Sequence, residues 1–194
     1  MPPETSQKSS AWNWIIIGII IISGLVYLAF SHKATMANQP VAEANGSPAN
    51  AILETNDPIG RTAPNWTLPT PTGKTLSLAQ FKGHPVVLDF WATWCGPCNL
   101  ERPWWEKLQK QYASQGLVII GISEDSSIAD VRNFLVKNPT AYTMVWDNQS
   151  LQATYGVPYG LPTTLFINKQ GEITQRVTGL EGLPALDKAI RGIL

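Results

Sequence analysis

A chain of 194 residues with 44% hydrophobic and 14% charged residues can build one sizeable core, which excludes a wholly disordered polymer. Lysine plus arginine match aspartate plus glutamate at 14 each, so no basic footprint points to nucleic acid and charge names no partner. Two cysteines exclude the disulfide framework that staples small secreted domains.

Residues 1–11 read as a short tail. The uncharged run from Trp12 to Phe30, "WNWIIIGIIIISGLVYLAF", is long enough to cross a bilayer as a helix, which takes roughly 17–25 residues. Trp12, Trp14 and Tyr27 suit the two interfaces, and no polar stripe marks a helix half-buried in a globular core. The expectation is an uncleaved anchor. A cleaved signal peptide is the alternative, with "TMA" at 35–37 or "AEA" at 42–44 as processing sites, although its apolar region is usually shorter. Lys8 on one side and His32 and Lys33 on the other leave orientation open. Residues 31–57, rich in Ala, Asn, Pro, Ser and Gly, read as a flexible linker.

A folded domain is expected over 58–194. Thr62 to Phe81 suggests a small β-hairpin, "WTLPTPTGKTLSL". "PVVLDFW" (85–91) and "LVIIGIS" (117–123) are short, β-branched and nearly continuous, as central buried strands are. Between them, 97–115 has helical spacing with Leu100, Trp104 and Leu108 on one face, Pro97 at a tolerated first-turn position and Pro103 inside. A helix over 128–137, a strand over 142–146, a short helix near 151–155 and a strand over 163–168 follow. "NKQG" (168–171) reads as a hairpin turn into a strand over 172–178, and a final helix fills 183–193. The order implies an α/β domain, a mixed sheet flanked by helices.

Both cysteines lie in "FWATWCGPCNLERP", with only Gly96 and Pro97 between Cys95 and Cys98. A structural zinc site usually needs four ligands, and His32 falls in the linker while His84 precedes a strand, so no metal is expected. Cys95 ends a strand where a helix begins. The free first-turn N–H groups and the partial positive charge there favour a thiolate. That makes Cys95 the attacking sulfur and Cys98, one turn further in and shielded, the sulfur that resolves a mixed disulfide. The pair would then be the reagent, with no separate cofactor.

"VLDFWATWCGPC" resembles the active-site segment of the thioredoxin superfamily. The longer stretch from "IGRTAPNWTLP" to "CGPCNLERP" is similar to the membrane-anchored TlpA/ResA-like branch, which is related to the AhpC/TSA proteins. "YGVPYGLPTTLFINKQGEI" resembles the family's second landmark, a cis proline beside the disulfide. The resemblance implies a thioredoxin-like fold with an N-terminal hairpin extension, preceded by one transmembrane helix. It also implies thiol-disulfide exchange, with Cys95 as nucleophile, Cys98 as resolving cysteine and Pro162 as the cis proline. Leu161 would offer backbone groups to an extended substrate. Asp89, six residues before Cys95, matches the buried acid that accepts the resolving thiol's proton. Many TlpA/ResA-like proteins have Asn there, so this chain departs toward the thioredoxin pattern. Burial alone should raise its pKa. Glu101, three residues after Cys98, matches an acid that tunes the thiols, or it simply favours the helix dipole. Trp94, Gly96 and Pro97 would form the docking surface and Trp91 would pack in the core. The tandem Trp104–Trp105, about 100° apart on a helix, would divide between core and surface.

The family implies exported proteins with disulfides as substrates, apocytochrome c among them, and a membrane protein as electron donor, outside the cytoplasm. Three other readings use the same residues: a disulfide oxidase or isomerase, a peroxidase, and a redox-inert module that binds a partner around Pro162.

Overall fold

The computed structural model describes residues 57–157 and 160–194. The tail, anchor and linker expected over residues 1–57 lie, all but Asp57, outside the described residues. Among the described residues, no helix is long and apolar enough to cross a membrane.

The hairpin is β1 (Thr67–Pro69) and β2 (Thr75–Ser77), paired antiparallel with Thr67 opposite Ser77. Its turn needs a left-handed backbone at Gly73 (φ 88°), which glycine adopts without a steric penalty. The main sheet contains β3 (Val86–Trp91), β4 (Val118–Ser123), β5 (Thr143–Trp146), β6 (Thr163–Ile167) and β7 (Ile173–Thr178). Their order is β5-β4-β3-β6-β7; β3, β4 and β5 run parallel, and β6 and β7 add antiparallel pairs. The helices are α1 (Gly96–Tyr112), α2 (Ile128–Lys137) and α3 (Leu183–Arg191). Both parallel crossovers step the same way across the sheet. Right-handed connections therefore put α1 and α2 on one face.

That face shares one apolar cluster. Val87 and Trp91 from β3 meet Cys98, Trp105 and Leu108 from α1, Val131 from α2, and Leu186 and Ile190 from α3. The other face has its own cluster: Leu88 and Phe90 pack with Trp66 and Leu68 of the hairpin region and with Tyr155 and Val157. Side chains of a strand alternate between faces, so Asp89, between Val87 and Trp91 in register, belongs to the helix side. Each large apolar side chain buried in these clusters contributes about 1.5–3 kcal/mol.

Two expectations need correction. No helix forms near 151–155: the segment is a series of turns. The Asp147 carboxylate accepts the Leu151 N–H at 2.8 Å and the Ser150 hydroxyl, while Asn148 and Gln149 take positive φ (52° and 65°). A run this short cannot offset the cost of nucleating a helix, and local side-chain hydrogen bonds hold it instead. In α1, Leu100 does not join a buried face with Leu108; it is 62% exposed. The inward positions are Cys98, Glu101, Arg102, Trp105, Leu108 and Tyr112. Helical geometry aligns these with Cys98, so two charged residues point inward where hydropathy alone would turn them out. Trp105 is buried and Trp104 half-buried.

Candidate active site

β3 stops at Trp91 and the chain turns through Ala92–Trp94 before α1 begins. The Cys95 N–H closes that turn on the Ala92 carbonyl at 3.1 Å. Cys95 is the N-cap of α1, and its Sγ accepts the Cys98 N–H at 3.2 Å. The orphan amide that usually finds a capping oxygen is here aimed at sulfur, the arrangement that favours a thiolate once the pair is reduced. In the oxidised state shown, Cys95 and Cys98 are joined as a disulfide. They are 5% and 2% exposed, so Cys98 is the deeper by a small margin. Trp94 beside them is 70% exposed, and Gly96 and Pro97 are also exposed.

The turn is held from a neighbouring strand. Asp125, just past β4, accepts the Thr93 N–H at 3.0 Å and the Thr93 hydroxyl at 2.6 Å, and also takes the Ser123 hydroxyl at 2.8 Å. The Asn99 amide closes the other side on the Thr93 carbonyl at 3.0 Å. Sequence reasoning did not single out Asp125. Its position at the C-terminal end of a parallel strand, where α/β folds gather their sites, was the available signal.

On the helix side of β3, burial drives Asp89 well above the usual carboxylate range; Glu101 pushes it further up and Arg102 pulls it down. Its Oδ1 is buried without a hydrogen-bond partner. Glu101 is also raised, first by burial; the Glu181 N–H opposes this, the Glu181 charge adds to it, and the Trp105 indole opposes it. That amide donates to Glu101 Oε1 at 2.8 Å, tying α1 to the loop between β7 and α3. The Leu161–Pro162 peptide bond is cis, as the resemblance implied. Leu161 is half-buried and packs against the cluster that holds both cysteines. Trp91 lies in the core at full burial.

Other groups were missed. Arg102, with its guanidinium beside the Trp91 and Phe134 rings, and the buried Tyr142 both adjoin Asp89 electrostatically. Behind Asp125, burial pushes Glu124 up to about 7, against the pull of Gln152 and reinforced by Asp147 and Asp125. Among the described residues, no three ligating side chains gather in a way that would hold a metal ion. His84 instead pairs its Nδ1 with the Gly116 carbonyl at 3.0 Å.

The sequence model of the AhpC/TSA family matches residues 59–176. The thiol-disulfide oxidoreductase ResA of Bacillus thuringiensis subsp. konkukian is 34% identical over 136 residues, covering 70% of this chain and 78% of its own. The ResA of Bacillus subtilis is 37% identical over 134 residues, covering 67% and 74%. Among solved structures, one described as a thiol:disulfide interchange protein DsbE from Chlorobium tepidum superposes with a TM-score of 0.65 at 32% identity. It covers 68% of this chain and 94% of that one. The fold is therefore thioredoxin-like, and the Cys95–Cys98 pair makes the protein a thiol-disulfide oxidoreductase. With more than half its length matched and relatives above 30% identity, the chain belongs to the AhpC/TSA family.

Proposed function

We propose that this protein is a membrane-tethered disulfide reductase that acts outside the cytoplasm on exported proteins. The observation that carries the reading is the Cys98 N–H directed at Cys95 Sγ at the start of α1, with the second sulfur set behind the first. A helix N-terminus stabilises an anion by up to about 2 kcal/mol, enough to lower a thiol pKa by about one unit or more. Thiolate Cys95 attacks a substrate disulfide. Cys98, giving its proton to Asp89, then attacks Cys95 and frees the reduced substrate. Glu101 tunes this step through its charge. Trp94, Gly96, Pro97 and Leu161 form the surface on which an extended substrate rests, next to Pro162.

The uncharged run Trp12–Phe30 supports the tether, with residues 31–57 as the linker that gives the domain reach. The reducing direction rests on Gly96–Pro97 between the cysteines, the pair that reducing thioredoxins carry. A membrane protein would return the disulfide to dithiol, and no cofactor beyond the two sulfurs is needed. Apocytochrome c, whose haem-attachment cysteines must be reduced, is the substrate the TlpA/ResA resemblance favours.

The test is a Cys98→Ser variant expressed with its N-terminus intact. It should accumulate exported proteins as mixed disulfides on Cys95, with haem-attachment sites among the captured peptides. Wild-type protein should reduce insulin and have a potential near thioredoxin's, about −270 mV. A potential close to the roughly −120 mV of strong oxidants would move the protein to the oxidase reading. A trap that stays empty while Cys95 remains reactive would remove the exchange mechanism.

A further inference from the structure

Behind the dithiol, β3, α1 and α2 enclose a cation that the exchange chemistry above leaves unused. Arg102 lies on the inward side of α1, one turn beyond Cys98, and is buried despite its charge. Its Nη2 donates to the Asn138 carbonyl at 2.7 Å. The guanidinium carbon lies 5.0 Å from the Phe134 ring centroid and 5.7 Å from that of Trp91. The two rings are themselves 5.6 Å apart, one from α2 and one from β3. Gly121 on β4 leaves room for Met144 and Trp91: a Cβ there would collide with Met144 Sδ and stand 3.1 Å from Trp91 Nε1.

Burying a guanidinium is costly unless its charge is answered, and it cannot escape the cost by losing its proton. Aromatic faces answer part of it and one carbonyl another part. None of the ion pairs among the described residues includes Arg102. If packing were all this position required, an apolar side chain would fill the space between the rings without the desolvation cost.

Three further buried polar atoms lie nearby: Asp89 Oδ1, the Arg102 Nε–H and the Tyr142 hydroxyl, the last of which interacts with Arg102. Arg102 favours the ionised form of both Asp89 and Tyr142. The other charges in reach act the opposite way. Glu101 on α1 bears on Asp89, Asp89 and Glu106 bear on Tyr142, and Glu181 bears on Glu101 from the loop before α3.

We propose that Arg102 is a positioning residue for the proton step: its fixed charge, clamped between Trp91 and Phe134, keeps Asp89 able to receive the Cys98 proton as Cys98 attacks Cys95. This rests on the reading of Asp89 as proton acceptor given above. In that step the Cys98 thiol proton moves to an Asp89 carboxylate oxygen and a bond forms between the Cys98 and Cys95 sulfurs. The bond from Cys95 to the substrate sulfur breaks, and the leaving thiolate takes the proton back from the Asp89 carboxyl. Two electrons have then passed from the dithiol to the substrate disulfide, and Asp89 ends ionised as it began. Without Arg102, Asp89 would lose a cation that favours its ionised form, the form that can accept a proton.

The experiment is single-turnover reduction of oxidised glutathione by the full chain, with the resolving rate followed by tryptophan fluorescence across pH 5–9. Arg102→Gln, which keeps a donor for Asn138 but no charge, should raise the midpoint of the pH–rate profile by about one unit and slow the step about tenfold at pH 7. Arg102→Lys should stay within a few tenths of a unit of wild type. In an Asp89→Asn background, Arg102→Gln should change the rate by less than about twofold, since the charge has no acceptor to act on. A folded Arg102→Gln protein with the wild-type midpoint overturns the proposal, as does an equal loss in the Asp89→Asn background. If Arg102→Gln fails to fold, Arg102→Met keeps the stem between the rings and is read the same way. If Asp89→Asn itself leaves the profile untouched, the acceptor assignment fails and takes this proposal with it. If Asp89→Asn abolishes the midpoint and Arg102→Gln does not move it, only the role of Arg102 is lost.

Discussion

The two faces of β3 are built from the same strand but obey different rules. Leu88 and Phe90 look into a cluster of apolar side chains. Val87, Asp89 and Trp91 look the other way, toward a layer that also holds Glu101 and Arg102. On the helix side, the polar atoms Asp89 Oδ1, Trp91 Nε1, Glu101 Oε2, Arg102 Nε, Trp105 Nε1 and the Tyr142 hydroxyl are buried, whereas the apolar side contributes Trp66 Nε1. Unsatisfied buried polar groups destabilise a fold and are uncommon away from sites of function. One face of the strand is apolar, while the other carries buried charge at a cost in stability.

This contrast can be broken from either side. The largest expected effect is on the apolar face. Phe90→Ala should cost about 3–5 kcal/mol in urea unfolding, yet leave the reduction potential of the surviving folded protein unchanged. A large shift in potential would mean that the faces are not independent.

On the helix side the sign reverses. Asp89→Asn should stabilise the protein by about 1–3 kcal/mol while slowing the resolving step. Asp89 has a raised pKa in the fold, so between its unfolded and folded values the native state binds the extra proton and stability falls as pH rises. The gain from Asp89→Asn should therefore be larger at pH 8 than at pH 5. A gain that shrinks with pH would show that the carboxylate is favourably paired after all.

The smallest effect on stability lies at the rim. Trp94→Ala removes a side chain that is 70% exposed and should change unfolding by less than about 0.5 kcal/mol. Its consequence should appear as a several-fold rise in KM for a protein disulfide with little change for a small one. Equal losses for both substrates would place Trp94 in the chemistry and not in docking.

How much of this was legible beforehand depends on whether the signal was local. The strands at 86–91 and 118–123 announce themselves as β-branched runs, and the turn at 168–171 by Asn and Gly, because those preferences act within a few residues. Cys95, Gly96 and Pro97 mark the start of α1 for the same reason. The turns at 151–155 are not legible locally because Asp147, several residues upstream, decides their hydrogen bonding. Arg102 carries no local signal because its burial depends on rings from two other elements, and Asp125 none because its partner Thr93 is remote in sequence. Local chemistry was readable, whereas pairing across the sheet was not.

The tie between Asp125 and Thr93 has one more consequence. The stretch Phe90–Pro103 contains both sulfurs, yet the carboxylate that fixes their approach turn is supplied by the adjoining parallel strand. A free peptide of that stretch would carry the reagent without its mounting and would react as any flexible dithiol does. What distinguishes this protein from such a peptide is assembled only when two distant segments lie side by side, so its reactivity is a report on whether the chain has folded.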